Sequence, residues 1–92
     1  MLITMEKHLG LHILDEVVRE LVKMGLDVYV MRKSRPFKIA AFGVNSSRFK
    51  KRFGIKSIST DPKDTAYFQA HTEDFESAHI YLSEGQAVPI SG

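Results

Sequence analysis

Residues 9–31 read LGLHILDEVVRELVKMGLDVYVM, and the change of hydrophobic period inside this stretch decides the fold class. Leu14, Val17, Val18, Leu21 and Val22 recur at the three- and four-residue spacing of one helix face, while Asp15, Glu16, Arg19, Glu20 and Lys23 fall on the other side. The spacing predicts a helix over residues 9–24. Gly25 follows its last turn, where a left-handed closing residue costs glycine least, and Lys23 stands near the negative end of the helix dipole. Directly afterwards Leu26-Asp27-Val28-Tyr29-Val30-Met31 alternates with β-branched and aromatic residues, the period of a strand.

Outward from this junction the chain keeps mixing the two kinds of signal. Arg32-Lys33-Ser34-Arg35-Pro36 is a polar connection ended by proline, residues 37–42 form a second apolar run closed by Gly43, and residues 53–59 form a third with Ile55 and Ile58 as anchors. Between them residues 45–52 make a basic loop or a short helix. Asp61-Pro62-Lys63-Asp64 has turn chemistry, and residues 66–70 resume an extended pattern. Thr72 is placed to cap a short helix through Phe75 and Ala78, the alternative being a loop into His79-Ile80-Tyr81-Leu82, and a last hairpin is expected over residues 80–90 around Glu84-Gly85. The expected architecture is α+β or α/β: an amino-terminal helix and a small mixed sheet (αβββ), then a short helix and a carboxy-terminal hairpin.

Ninety-two residues, 43% of them apolar, suffice for one hydrophobic core and not for two, so residues 1–92 are expected to form a single compact domain. The absence of cysteine excludes disulfides, thiolate metal sites and a cysteine nucleophile, and fits a reducing cytoplasm. No apolar run approaches the roughly 20 residues that span a bilayer, and no basic segment followed by an apolar run opens the chain. The expectation is a cytoplasmic protein, neither exported nor embedded in a membrane.

Charge is distributed far more unevenly than the net value of +2 suggests. Residues 1–31 carry three basic and five acidic side chains, residues 32–56 nine basic and none acidic, and residues 57–92 one basic and six acidic. A block of this kind repels itself unless a polyanionic partner or the chain's own acidic end relieves it. Arg32, Lys33, Arg35 and Lys38 form one cluster, and Arg48, Lys50, Lys51, Arg52 and Lys56 another. Together they are the candidate nucleic-acid-binding residues, suited to phosphate contacts that weaken steeply with salt and carry little sequence information. Phe49 and Phe53 would stack on bases if exposed; the pattern favours the core for both. His8 and His12 have i, i+4 spacing, yet no third ligand stands near them, and surface positions are expected. No serine lies in a nucleophile elbow, and the scattered glycines form no phosphate-cradling loop. No catalytic residue, metal or cofactor is expected.

The order of helix, strand, turn, strand, basic loop and strand resembles the core of the PD-(D/E)XK nuclease superfamily, including small Holliday-junction resolvase-like and restriction-enzyme-like domains. The resemblance rests on Glu16 or Glu20 in the helix, then Gly25-Leu26-Asp27-Val28-Tyr29-Val30, Arg35-Pro36-Phe37-Lys38-Ile39-Ala40 and Phe53-Gly54-Ile55-Lys56-Ser57, over about residues 10–60. That family needs carboxylates in its second and third motifs to hold the metal ion, and Lys38 and Gly54 stand there instead. Only Lys56 and a helix glutamate match. The resemblance therefore implies a nuclease-like fold that has lost cleavage and retains binding. A helix followed by three strands also suits double-stranded-RNA-binding-like domains, although a clear basic helix amino terminus is missing.

The leading expectation is a non-catalytic nucleic-acid-binding domain, for DNA or RNA, with residues 32–56 as its basic surface. The rival is a small protein inhibitor or accessory factor of the phage and mobile-element type, anti-CRISPR-like, acting on a nucleic-acid-processing complex. It would use the basic block against an acidic protein surface, or Asp61, Asp64, Glu73, Asp74, Glu76 and Glu84 as a nucleic-acid mimic. A free sheet edge would also allow a homodimer.

Overall fold

The computed structural model describes residues 1–87. The chain runs β1 (Leu2–Met5), α1 (Leu11–Lys23), β2 (Asp27–Met31), β3 (Lys38–Phe42), a 3-10 turn (Ser46–Arg48), β4 (Ile55–Ser59), α2 (Lys63–Ala70), a second 3-10 turn (Thr72–Asp74), β5 (Glu76–Ser77) and α3 (Ala78–Ala87). The class is α+β, with α1 followed by β2, β3 and β4 as the sequence predicts. The five strands form one sheet in the order β4-β1-β3-β2-β5, and the sheet anticipated as mixed is antiparallel at each pairing.

The helix–strand junction closes as its residues dictate. The Gly25 N–H bonds the Val22 carbonyl at 2.9 Å and the Leu26 N–H reaches the Leu21 carbonyl at 3.4 Å, with Gly25 at φ +81°. This is a Schellman closure, and the buried Leu26 supplies its usual apolar contact beside the last turn. Leu14, Val17, Val18 and Leu21 form the buried face of α1 and share the core with Ile3, Met5, Val28, Val30, Ile39, Ala41 and Ile55.

A strand, not a helix, comes first. Leu2–Met5 alternates too briefly to be separated from coil by sequence alone. It becomes a strand because β3 and β4 both pair with it, which makes the least legible strand a central one. In β4 the anticipated anchors Ile55 and Ile58 lie three residues apart, a spacing that would put them on opposite faces of a regular strand. The register resolves this: Met5 pairs with Ile55 but Thr4 with Ser57, so Lys56 is the extra residue of a β-bulge. Ile55 is buried and Ile58 packs against the same core.

Three carboxy-terminal expectations are corrected. Residues 66–70 are helical, not extended, because Asp61-Pro62 starts a helix: the Asp61 carboxylate accepts the Lys63 N–H at 2.8 Å, and proline tolerates the first turn. Phe68 of this short helix then packs on Tyr29 and Phe42, with ring centroids at 4.7 and 5.4 Å, and covers the sheet face opposite α1. Thr72 caps no helix; it opens a 3-10 turn that ends before Phe75, and Glu76 and Ser77 add to the edge of β2. The hairpin from Ile80 around Glu84-Gly85 is instead α3. Ala78, Tyr81 and Leu82 pack into the core while Ile80 is 55% exposed, which is helical spacing and not alternation. The hairpin's second arm, from Val88 to Ile90, lies outside the described residues.

Two polar contacts fasten the helices to the sheet. Asp64, 8% exposed, accepts the Ser59 hydroxyl at 3.0 Å through Oδ1, while its buried Oδ2 has no hydrogen-bond partner among the described residues. Ser59→Ala would leave the whole carboxylate unanswered and is expected to cost about 1–3 kcal/mol in urea denaturation. Ser57→Ala, on an exposed neighbour, should stay within about 0.5 kcal/mol. On the other face Tyr81, 4% exposed, lies under the Arg32 guanidinium, which is 4.8 Å from the ring centroid. Burial first, then the hydrogen bond to Asp15 and its charge, hold the phenol well above its ordinary range. The folded chain thus keeps a proton that the unfolded chain releases near pH 10, so this contribution is intact below that pH and lost as pH rises. Relative to Tyr81→Phe, the wild-type unfolding free energy should fall by up to about 1.4 kcal/mol per pH unit above roughly pH 10.

Candidate nucleic-acid interface

The fold separates the nine candidate cations into groups with different surroundings. Arg32, Lys33 and Arg35 sit at the turn between β2 and β3, and each is engaged from within the chain. The Arg32 Nε donates to Glu76 Oε1 at 2.6 Å, with both side chains about a third exposed or less. Lys33 donates to the Glu73 carbonyl at 3.0 Å and stands 3.8 Å from the Asp74 carboxylate. Arg35 donates to the carbonyls of Lys7 and Leu9 at 3.0 and 2.6 Å and lies over the Phe37 ring, bracing the connection between β1 and α1. Lys38 points to the opposite face, with its ammonium 5.6 Å from the centroid of Tyr67 on α2. The acidic segment after residue 57 therefore answers Arg32 closely and Lys33 more weakly, while Arg35 and Lys38 meet no carboxylate among the described residues.

The second cluster occupies the crossover from β3 to β4. These two strands are parallel and flank β1, so the chain must cross the sheet between them. Residues 43–54 make that crossing with one 3-10 turn in place of a full helix, and they run along α1 from its carboxyl end toward its amino end. Phe49, 8% exposed, anchors the loop in the core as the sequence favours. Arg48, Phe49, Lys50, Lys51 and Arg52 then line a shallow cleft with Glu20 and Met24 of α1. Arg52 is 3.8 Å from the Glu20 carboxylate, with both side chains 47% exposed, so water screens the pair to little net value. Among the described residues Arg48, Lys50 and Lys51 have no ion-pair partner, and Lys56 projects without one from the bulge of β4.

Phe53 corrects an expectation: it is 76% exposed, not in the core. The apolar pattern marked it as a core residue because it begins the run leading to Ile55. Gly54, not Phe53, meets the core there, and the positive φ of Gly54, +94°, was beyond sequence alone.

The positions that carry the nuclease resemblance do not meet in one cleft. Glu16 and Glu20 are on the solvent side of α1, Lys38 is on the face of α2, and Lys56 is at the edge of the sheet. No group of three or more His, Asp or Glu side chains among the described residues is arranged to hold a metal ion. His12 lies in α1 but His8 precedes it, so their spacing does not place them on a shared helix. His71 stacks on Tyr67 with centroids 4.2 Å apart, and its Nδ1 is 2.8 Å from the Tyr67 carbonyl oxygen. No helix among the described residues is long and apolar enough to cross a membrane. No family model, curated protein or solved structure matches the chain.

Proposed function

We propose that this chain is a non-catalytic nucleic-acid-binding domain, acting in a reducing cytoplasm, whose contact surface is the crossover loop 48–52. The observation that carries the proposal is the difference between the two basic clusters. Arg32 is closely matched by Glu76, and Lys33 donates to the Glu73 carbonyl, whereas among the described residues Arg48, Lys50 and Lys51 stand on the surface without an ion-pair partner and Arg52 has only the screened Glu20 beside it. Uncompensated like charges on one short loop raise the free energy of the isolated protein, and a row of phosphates removes that repulsion while releasing counterions. Lys56 extends the same charge toward the sheet edge. The nuclease resemblance lends the proposal its element order, α1–β2–β3–β4, and no catalytic group.

The rival inhibitor reading, in the form that imitates a polyanion and not in the form that sets the basic block against an acidic protein, needs a free acidic surface. The carboxylates of Glu76 and Asp74 are already turned toward Arg32 and Lys33, which weakens these two for that purpose, while Lys33 meets Glu73 only at its main-chain carbonyl. Fluorescence anisotropy of labelled DNA and RNA, titrated at several salt concentrations with and without Mg²⁺, tests the proposal. Binding that weakens steeply with salt, without cleavage, is expected. Absence of binding at low salt would redirect the basic loop to an acidic protein partner, and cleavage with Mg²⁺ would overturn the non-catalytic assignment.

A further inference from the structure

Phe53 is held outward by its neighbours and not by chance exposure. The Ile55 N–H bonds the Arg52 carbonyl at 3.1 Å and closes a tight turn over residues 52–55, with Gly54 in its third position at φ +94°. Gly54 is pressed against the core: a Cβ there would lie 2.5 Å from Ile13 Cγ2 and 3.0 Å from Leu9 Cδ1. Its carbonyl also accepts the Glu6 N–H at 2.8 Å, which ties the turn to the connection before α1. With the glycine against the core on both counts, the phenyl ring before it is left in solvent at 76% exposure.

A flat apolar ring on a closed turn, directly following Lys50, Lys51 and Arg52 in the chain, has the chemistry of a base-stacking platform beside a phosphate track. A duplex offers such a ring little, because its base faces are already stacked on each other. An unpaired strand offers a base face and phosphates within the same few nucleotides. Resting on the nucleic-acid reading above, we propose that loop 48–53 prefers single-stranded nucleic acid, with Phe53 stacking on an unpaired base while Arg48, Lys50, Lys51 and Arg52 hold the adjacent phosphates. Phe49 takes no part, since the core holds its ring.

The test compares one labelled oligonucleotide as single strand and as duplex, using the full chain. Wild type is expected to bind the single strand more tightly. Phe53→Ala should weaken single-strand binding by about 5- to 150-fold, the range for loss of one stacked base, with duplex affinity and the salt slope unchanged. The ring is exposed, so the variant should fold normally. Because the chain has no tryptophan, Phe53→Trp places a single tryptophan at the turn that can be excited apart from the three tyrosines, and its emission should change with the single strand and not with the duplex. Equal affinity for the two forms, or an unchanged Phe53→Ala, would overturn the stacking role while leaving the basic loop as a phosphate-binding surface. Failure of wild type to bind either form would overturn both.

Discussion

Gly54→Ala is expected to lower the unfolding free energy by about 2–5 kcal/mol. Two costs combine. A side chain at φ +94° sits in the left-handed region, worth about 1–2 kcal/mol for a residue with a Cβ. The new methyl would also stand 2.5 Å from Ile13 Cγ2, and a packed core yields to that only by shifting α1 or the turn, at about 1–3 kcal/mol. Gly25→Ala is the control. Its φ is also positive, at +81°, but nothing lies within 4 Å of the added Cβ, so only the conformational cost of about 1–2 kcal/mol applies. Urea denaturation of the two variants separates the terms, and equal losses would show that Gly54 is not pressed against the core. Since the same contact aims Phe53 outward, Gly54→Ala should also disturb the loop that carries the cations.

Charge reversal at Lys50 and Lys51 is expected to produce the largest change in binding. Both side chains are exposed and without ion-pair partners among the described residues, so stability should move by no more than about 0.5 kcal/mol. Each lost phosphate contact lowers the slope of log K against log salt by about one, so Lys50→Glu with Lys51→Glu should flatten it by about two for a duplex. Affinity near 0.1 M salt should fall on the order of a hundredfold, similarly for all sequences, because phosphates carry no base information. Lys33→Ala is the matched comparison: Lys33 is engaged with Glu73 and Asp74, and its removal should change binding by about twofold or less. Undiminished binding by the double reversal would remove loop 48–52 from the interface.

The candidate site was legible in part. Nine cations without an acid between residues 32 and 56 are a fact of the sequence, as is the acidic excess after them. Which cations are answered was not legible, because Arg32 and Glu76 are 44 residues apart and meet only when β5 pairs with β2. The two phenylalanines of the basic segment have similar neighbours in the chain and opposite fates in space. Phe49 fills the gap beside α1 that a crossover without a helix leaves, and Phe53 is turned out by the glycine after it.

By itself the sequence determined the elements whose hydrophobic period is long or sharply ended: α1 with its glycine closure, the alternation of β2, and the apolar runs of β3 and β4. These are decided by residues within a few positions of one another, so local physics suffices. The tertiary structure decided the rest. Leu2–Met5 is a strand because two partners supply its hydrogen bonds, and residues 78–87 are a helix because Ala78, Tyr81 and Leu82 find an apolar surface at helical spacing. The bulge at Lys56 exists because Ile55 and Ile58 must reach the same core. Short segments with weak periods adopt whichever backbone buries their apolar side chains and satisfies their polar groups, and both the core and the hydrogen-bond partners come from residues distant in the chain.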